Sequence, residues 1–390
     1  MKVVVGTDTY WPRVNGVTVS IQTLKRELEK MGHECYILAP TYDDKVKEIE
    51  KNVIRIPALH VSTISKEDRL TSPFAKGKVF KYLDEIKPDI IHVQTEFTMG
   101  TMVKKYALKH NIPLIITCHT FWEEYIHHYI PFFPEKPEKA FVRYLTKKFF
   151  RNAKYIIVPT ARMEEKLKEY NVDAKTVVVP TGIAKEDFDG ISKEEEKKNS
   201  FLYEKYPVLK GKKVLLYVGR VGHEKNLSFL LKSMQKLKEK FKDFVLLIVG
   251  DGPGRKEFEE MTKTLGIEEN VIFTGYMDRK IIKRVYAFAD VFTFASKTET
   301  QGLVTIEAMI CRTPVVAIGE MGTKDVMQGD NGGFMVKDDL IEFTEKIYLL
   351  LTDEKLYKQK SKEAYDYSMN WTTDVQIKKI MDVYEKALKE

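Results

Sequence analysis

The segment Ser296-Lys297-Thr298-Glu299-Thr300-Gln301-Gly302-Leu303-Val304-Thr305-Ile306-Glu307-Ala308-Met309 carries two carboxylates, one ahead of an expected helix and one about a turn inside it. It follows an apolar run, and the helix must end before Pro314. A strand-to-helix junction leaves unpaired N–H groups at the helix start, and these bind phosphate or sugar oxygens. Gly302 lets a ligand approach the backbone closely. Glu299 and Glu307 on either side of such donors suit a ligand with phosphate in its middle and hydroxyl groups at both ends. Taken alone, Glu307 also reads as a favourable charge in a first helical turn.

A second segment, Val218-Gly219-Arg220-Val221-Gly222-His223-Glu224-Lys225-Asn226, also joins a strand to a helix. Arg220 and Lys225 bracket the turn and make a cationic clamp for a diphosphate, with a solvated surface turn as the plainer reading. Near the start of the chain, Asn15-Gly16 follows the first apolar run and makes a tight loop whose amides could face phosphate. His119 ends the run Pro113 to Cys118, which sends it toward the ligand side of a parallel sheet.

Elements that would position these residues repeat along the chain. Apolar runs at 2–7, 35–40, 53–57, 89–94, 113–118, 155–160 and 176–180 form one set, and runs at 213–219, 245–250, 271–275, 291–296, 314–319 and 333–336 form another. Unbroken apolar strands require a sheet buried on both faces. The segments between them have helical spacing, as in Ile21, Leu24, Leu28 and Met31 before a stop at Gly32. This alternation predicts an α/β protein of two doubly wound parallel sheets facing a cleft. The boundaries expected are 1–183 for the first domain, a Lys/Glu-rich linker at 184–212, a second domain at 213–369, and a last helix at 370–390 returning to the first domain with Trp371 as its anchor.

The 390 residues suit two domains, and no apolar stretch is long enough to span a bilayer. Three scattered cysteines without a CxxC spacing point to reduced thiols and a cytoplasmic setting. The net charge of +7 lies wholly in residues 1–183, with 29 Lys and Arg against 22 Asp and Glu. That excess reads either as solubility or as a match for an anionic surface. Residues 121–154 sharpen the second reading. Trp122, Tyr125, Phe132 and Phe133 are followed by a helix with Phe141, Leu145 and Phe149 on one face and Arg143, Lys147, Arg151 and Lys154 on another. Such a helix can lie on an anionic lipid surface. The basic and aromatic mixture also suits single-stranded nucleic acid, but nothing else in the sequence supports that partner. Gly250-Asp251-Gly252-Pro253-Gly254 misses the G-x-G-x-x-G spacing of a dinucleotide-binding loop, which argues against a nicotinamide enzyme.

Glu299 and Glu307, with seven residues between them that include Gly302, resemble the E-x7-E signature of glycosyltransferase family 4. Gly219-Arg220 with Glu224-Lys225-Asn226, Gly250-Asp251-Gly252-Pro253-Gly254-Arg255, and Pro180-Thr181-Gly182-Ile183 are similar to further motifs of that family, in order over nearly the whole chain. Thr298 to Leu303 and His119-Thr120-Phe121-Trp122-Glu123-Glu124-Tyr125 look like the members that glycosylate diacylglycerol. Pro-Thr-Gly at 180–182 and Asn15-Gly16 depart from the family's Pro-Asn-Gly and Gly-Gly, each keeping the glycine.

The resemblance implies a GT-B fold and a retaining hexosyl transfer from UDP-glucose or UDP-galactose to a lipid at the cytoplasmic membrane face. Arg220 and Lys225 would neutralise the diphosphate, and Glu307 would hold the ribose. Glu299 and the amides of Gln301, Gly302, Leu303 and Val304 would orient the sugar, with Thr300 in the same loop. Gly16 would meet the phosphate and His119 the sugar. No cofactor or metal is expected, and Asp187-Phe188-Asp189 reads as surface charge. Alternatives are transfer to a soluble acceptor, epimerisation of the nucleotide-sugar on the same fold, or non-catalytic binding.

Overall fold

Val3, Val4 and Val5 are fully buried in succession, which only a strand covered on both faces allows. The computed structural model describes residues 1–13, 15–42, 50–60, 69–120, 135–299 and 301–390. The chain forms two units, one of residues 1–182 with 373–390 and one of residues 183–372.

In the first unit the strands are β1 (Lys2–Gly6), β2 (Glu34–Pro40), β3 (Val53–Ile56), β4 (Ala58–His60), β5 (Arg69–Thr71), β6 (Ile90–Val93), β7 (Leu114–Thr117), β8 (Tyr155–Val158) and β9 (Lys175–Val178). Seven of them make one sheet in the order β3-β2-β1-β6-β7-β8-β9, and among the described residues β4 pairs only with β5. Neighbours in the large sheet run parallel. The β4–β5 pair is antiparallel and was invisible as an apolar run, because each strand has three residues.

Each sheet face has its own core. Helices 76–86, 98–110 and 161–169 place Val79, Leu83, Met102, Val103, Met163 and Leu167 on one face. Helix Gly16–Lys30 and helix Thr373–Lys389 cover the other face, with Ile21, Leu24 and Leu28 beside Ile377, Met381, Tyr384 and Ala387. Each such side chain contributes roughly 1.5–3 kcal/mol of apolar burial, Ala387 less. The first helix stops at Gly32, where φ is +80°, as its sequence requires. Met31 does not join the buried face: it sits at the helix end and is half exposed.

In the second unit β10 (Lys213–Val218), β11 (Phe244–Val249), β12 (Val271–Gly275), β13 (Val291–Phe294), β14 (Val315–Ile318) and β15 (Gly333–Val336) form a parallel sheet in the order β12-β11-β10-β13-β14-β15. One apolar core serves both its faces.

The segment 184–212 is not a tether. Ser192 caps the helix Lys193–Asn199, Leu202 and Leu209 are fully buried, and Arg284 binds Glu196 at 2.5 Å. Lys193 buries its ammonium against the Ala287 and Ala289 carbonyls and the Thr313 hydroxyl. Its Lys/Glu composition hid this packing, since few apolar anchors and a buried lysine do the work. Trp371 also departs from expectation. It packs in the second unit beside Tyr367, and the Ile183 N–H donates to its carbonyl at 2.8 Å.

Candidate functional site

β10 and β13 are neighbours in mid-sheet, and the strand order reverses between them. Open α/β sheets bind ligands at such a switch point, beyond the carboxyl ends of the strands. The turn 219–226 leaves β10 there, and the loop 295–302 leaves β13. Three bonds tie them together. Thr298 Oγ1 donates to the Glu224 carbonyl at 3.1 Å, Asn226 Nδ2 donates to the Ala295 carbonyl at 3.2 Å, and Lys225 Nζ meets Glu299 Oε1 at 2.5 Å. Lys225 and Glu299 are each one-fifth exposed, so their charges are partly shielded from water yet reachable by a ligand.

A further turn braces this pair. The Val221 N–H donates to the Asp251 carbonyl at 3.0 Å, and the Gly254 N–H donates to the Val221 carbonyl at 3.1 Å. An added Cβ at Gly250 would lie 1.9 Å from the Gly219 carbonyl oxygen. The glycines of 250–254 therefore serve close packing against the cationic turn. Arg220 stands at its outer edge, 65% exposed and 3.8 Å from Glu224.

Gly302 has φ +64° and begins the helix Leu303–Ile310, which no described side chain caps. Its position demands glycine, since other residues are strained there. One turn on, Glu307 accepts from the Tyr286 hydroxyl at 3.0 Å and lies 3.6 Å from Arg279. Burial pushes its carboxyl above the usual 4.5, with Arg279 and Tyr286 pulling the other way. Glu307 is thus a half-buried acceptor with lone pairs for hydroxyl donors.

In the first unit the equivalent reversal falls between β1 and β6. Asp8, just beyond β1, accepts from Thr98 Oγ1 at 2.9 Å and the Met99 N–H at 3.0 Å, so its carboxylate occupies the start of helix 98–110. Asn15-Gly16 is not a tight turn. Asn15 caps the helix Gly16–Lys30 by accepting from the Thr18 N–H at 2.9 Å, and Gly16 is its exposed first residue. Helix-start amides at Gly16 remain suited to an anion.

His119 follows β7 as expected, half-buried, and burial pushes its imidazole down to about 4. Its Nε2 is 2.6 Å from Gln94 Oε1. Gln94 and the neighbouring His92 went unremarked in the sequence, although two polar residues in the apolar run Ile90-Ile91-His92-Val93-Gln94 were the available signal.

Two descriptions of protein families match the chain: "Glycosyltransferase Family 4" over residues 14–187 and "Glycosyl transferases group 1" over residues 198–367. An alpha-monoglucosyldiacylglycerol synthase of Streptococcus pneumoniae is 34% identical over 319 residues, covering 82% of this chain and 71% of that one. This chain belongs to glycosyltransferase family 4. A second alpha-monoglucosyldiacylglycerol synthase, from Acholeplasma laidlawii, is 27% identical to the transferase and covers 87% of this chain and 86% of its own. Among solved structures, a glycosyltransferase of Rickettsia africae superposes with a TM-score of 0.79 at 20% identity, over 100% of this chain and 99% of that one. Anabaena HepE in complex with UDP-glucose gives 0.74 at 17% identity, over 99% of this chain and 100% of that one. These likenesses establish the GT-B class of fold, two Rossmann-like domains, for the transferase.

The structure of the transferase brings Arg220, Lys225, Glu299, Gly302 and Glu307 to one end of the second sheet. Gln301, Leu303 and Val304 surround the same helix start. Thr300, Trp122, Tyr125, Phe132 and Phe133 lie outside the described residues.

The helix Glu135–Phe150 differs in phase from expectation. Val142 and Phe150 are buried and Phe149 is half-buried, whereas Phe141, Tyr144 and Leu145 are exposed. Phe149 leaves the proposed lipid face because Lys104 covers its ring at 5.2 Å. Arg143 packs over the Tyr170 ring at 5.3 Å, while Lys147 and Arg151 are exposed. Sequence reading also missed a groove of about 300 Å³ lined by Leu70, Pro73, Phe97 and Met102 between Lys76 and Lys105. Among the described residues, no helix is long and apolar enough to cross a membrane.

Proposed function

We propose that the chain moves a hexosyl group from a UDP-sugar, glucose or galactose, onto a lipid acceptor, 1,2-diacylglycerol, with retention at the anomeric carbon. The Lys225–Glu299 pair at the second switch point carries this reading, because it puts a cation and a hydroxyl acceptor side by side next to a helix start. Lys225 and Arg220 offset charge on the departing diphosphate. Glu307 accepts from the ribose hydroxyls, and Glu299 with the amides of Gln301 to Val304 orients the sugar. Gly16 is assigned to phosphate and His119 to the sugar near the reacting carbon. The departing phosphate takes the acceptor's proton in a front-face displacement, so no side-chain nucleophile is required. Catalysis rests on position and fixed charge.

The names of the two synthases support diacylglycerol as acceptor. Exposed Phe141, Tyr144 and Leu145 near Lys147, Lys148 and Arg151 support work at an anionic membrane surface from the cytoplasmic side. The test is UDP release from UDP-glucose and UDP-galactose, with and without vesicles of diacylglycerol and anionic lipid. Vesicle-dependent release that vanishes in Glu299→Ala and declines with salt is expected. Release triggered instead by a soluble sugar would remove the lipid from the reading, and conversion of the donor without acceptor would make the protein an epimerase.

A further inference from the structure

Behind His119 lies a buried chain of polar groups that ends on the last helix. His92, Gln94 and Tyr384 are 1%, 3% and 0% exposed. His92 Nδ1 is 2.7 Å from the Tyr384 hydroxyl, and its Nε2 is 2.7 Å from Thr117 Oγ1 and 3.1 Å from Gln94 Nε2. Gln94 Oε1 completes the chain at 2.6 Å from His119 Nε2. A cavity of about 50 Å³ adjoins these groups, lined also by Glu27, Thr181 and Gln376.

The proton positions follow from what each atom can do. The amide nitrogen of Gln94 only donates, and it lies 3.1 Å from His92 Nε2 against 3.4 Å from Nδ1, so the nearer Nε2 offers it a lone pair. The single proton of a neutral His92 is then on Nδ1, donated to the Tyr384 oxygen. The amide oxygen of Gln94 only accepts, so His119 carries its proton on Nε2. Burial favours the neutral form of both rings, lowering them to about 3 and about 4. The Nδ1 of His119 is left with a lone pair.

We propose that Tyr384, through His92 and Gln94, fixes the tautomer of His119 with Nδ1 as a hydrogen-bond acceptor, which makes Tyr384 a positioning residue for sugar transfer. The transfer role rests on the assignment of His119 to the donor sugar, whose hydroxyl groups an accepting Nδ1 would receive. Tyr384 is needed because removing its oxygen leaves His92 Nδ1–H unpaired in a buried site. His92 would then shift its proton to Nε2, where Thr117 accepts it. Gln94 would turn its amide over, and His119 would present N–H at Nδ1 in place of a lone pair.

The experiment uses ¹⁵N-labelled full-length protein, with long-range NMR correlations of the histidine rings in wild type, Tyr384→Phe and Gln94→Leu. Wild type should show His119 protonated at Nε2 and His92 at Nδ1. Both variants should move the His119 proton wholly or partly to Nδ1, while thermal melts confirm that each remains folded. Turnover with UDP-glucose should fall about tenfold in Tyr384→Phe, with affinity for UDP changed less than about twofold. A His119 tautomer that is the same in all three proteins overturns the proposal. A changed tautomer with unchanged turnover overturns the positioning role. A tautomer fixed as described in a protein that transfers no sugar would leave this chain of bonds standing and fail only the functional reading above.

Discussion

Replacing Lys225 with methionine keeps the stem and removes one charge from the loop pair of the second sheet. At about 4 Å from a phosphate oxygen, with an effective dielectric constant of about 20, that charge is worth about 4 kcal/mol. Loss of one preorganised electrostatic contact to a developing anion commonly costs about 2.7–4 kcal/mol. The expected fall in kcat/KM is therefore about 10²–10³-fold. Arg220→Met should cost less, about tenfold, because that side chain is 65% exposed and works in a more watery medium. Glu299→Gln tests whether the pair acts as a unit. Lys225 and Glu299 touch at 2.5 Å, so their losses should overlap. The double variant should fall no more than about tenfold below the worse single variant, where independent losses would multiply. UDP release measures kcat/KM, and calorimetry of UDP binding gives a readout that needs no acceptor. A Lys225→Met protein that keeps more than about a fifth of wild-type kcat/KM, or a multiplicative double variant, would refute the reasoning.

Glu307→Gln should weaken UDP binding and yet raise the melting temperature at pH 7. The folded-state pKa is raised, so the protonated carboxyl favours the fold below the unfolded value, and that contribution fades as pH climbs through the folded value. In wild type the KM for donor should rise as pH falls through the same raised pKa, and the variant should lose that dependence. Gly302→Ala should destabilise the protein by about 1 kcal/mol in denaturant titration, because a φ of +64° strains an alanine. Exchanging Lys147, Lys148 and Arg151 for glutamine should weaken sedimentation with anionic vesicles by about 3 kcal/mol at low salt, leaving UDP affinity unchanged. Equal binding to neutral and anionic vesicles in wild type would argue against that surface.

Both sheets were legible in the sequence because their central strands are buried on two faces and carry apolar runs, whereas the edge strands β3, β9 and β12 are only partly buried. The residues of the second switch point were legible for a different reason: glycine and charge stand where a strand must turn into a helix. What escaped was long-range. Nothing local in Lys193 announces that its ammonium meets two carbonyls and a hydroxyl from another part of the second unit. Trp371 was assigned to the wrong unit because an aromatic residue near a helix start shows that it will be buried, not against what. The helix expected over 141–154 runs instead from Glu135 to Phe150, so Arg151 and Lys154 lie beyond its end. Its phase slipped, since Phe149 and Phe150 are adjacent and the core takes Phe150 more deeply. The far end of the polar chain behind His119 was hidden for the same reason as Lys193: Tyr384 lies 292 residues from His92 along the chain.

The chain passes from the first unit to the second at Gly182–Ile183 and back at Thr372–Thr373. The amino-terminal unit therefore cannot be finished when its own strands have left the ribosome. Its sheet face beside Ile115, Tyr155 and Ile157 is sealed by Ile377, Met381 and Tyr384, which are translated only after the whole second unit. At about 5–20 residues per second, that face waits roughly 10–40 s for its cover. Until residues 373–390 arrive to cover it, that apolar face stays open. A stop codon a few residues before Thr373 would leave every residue assigned above to donor binding in the chain and still yield a protein whose first unit stays open.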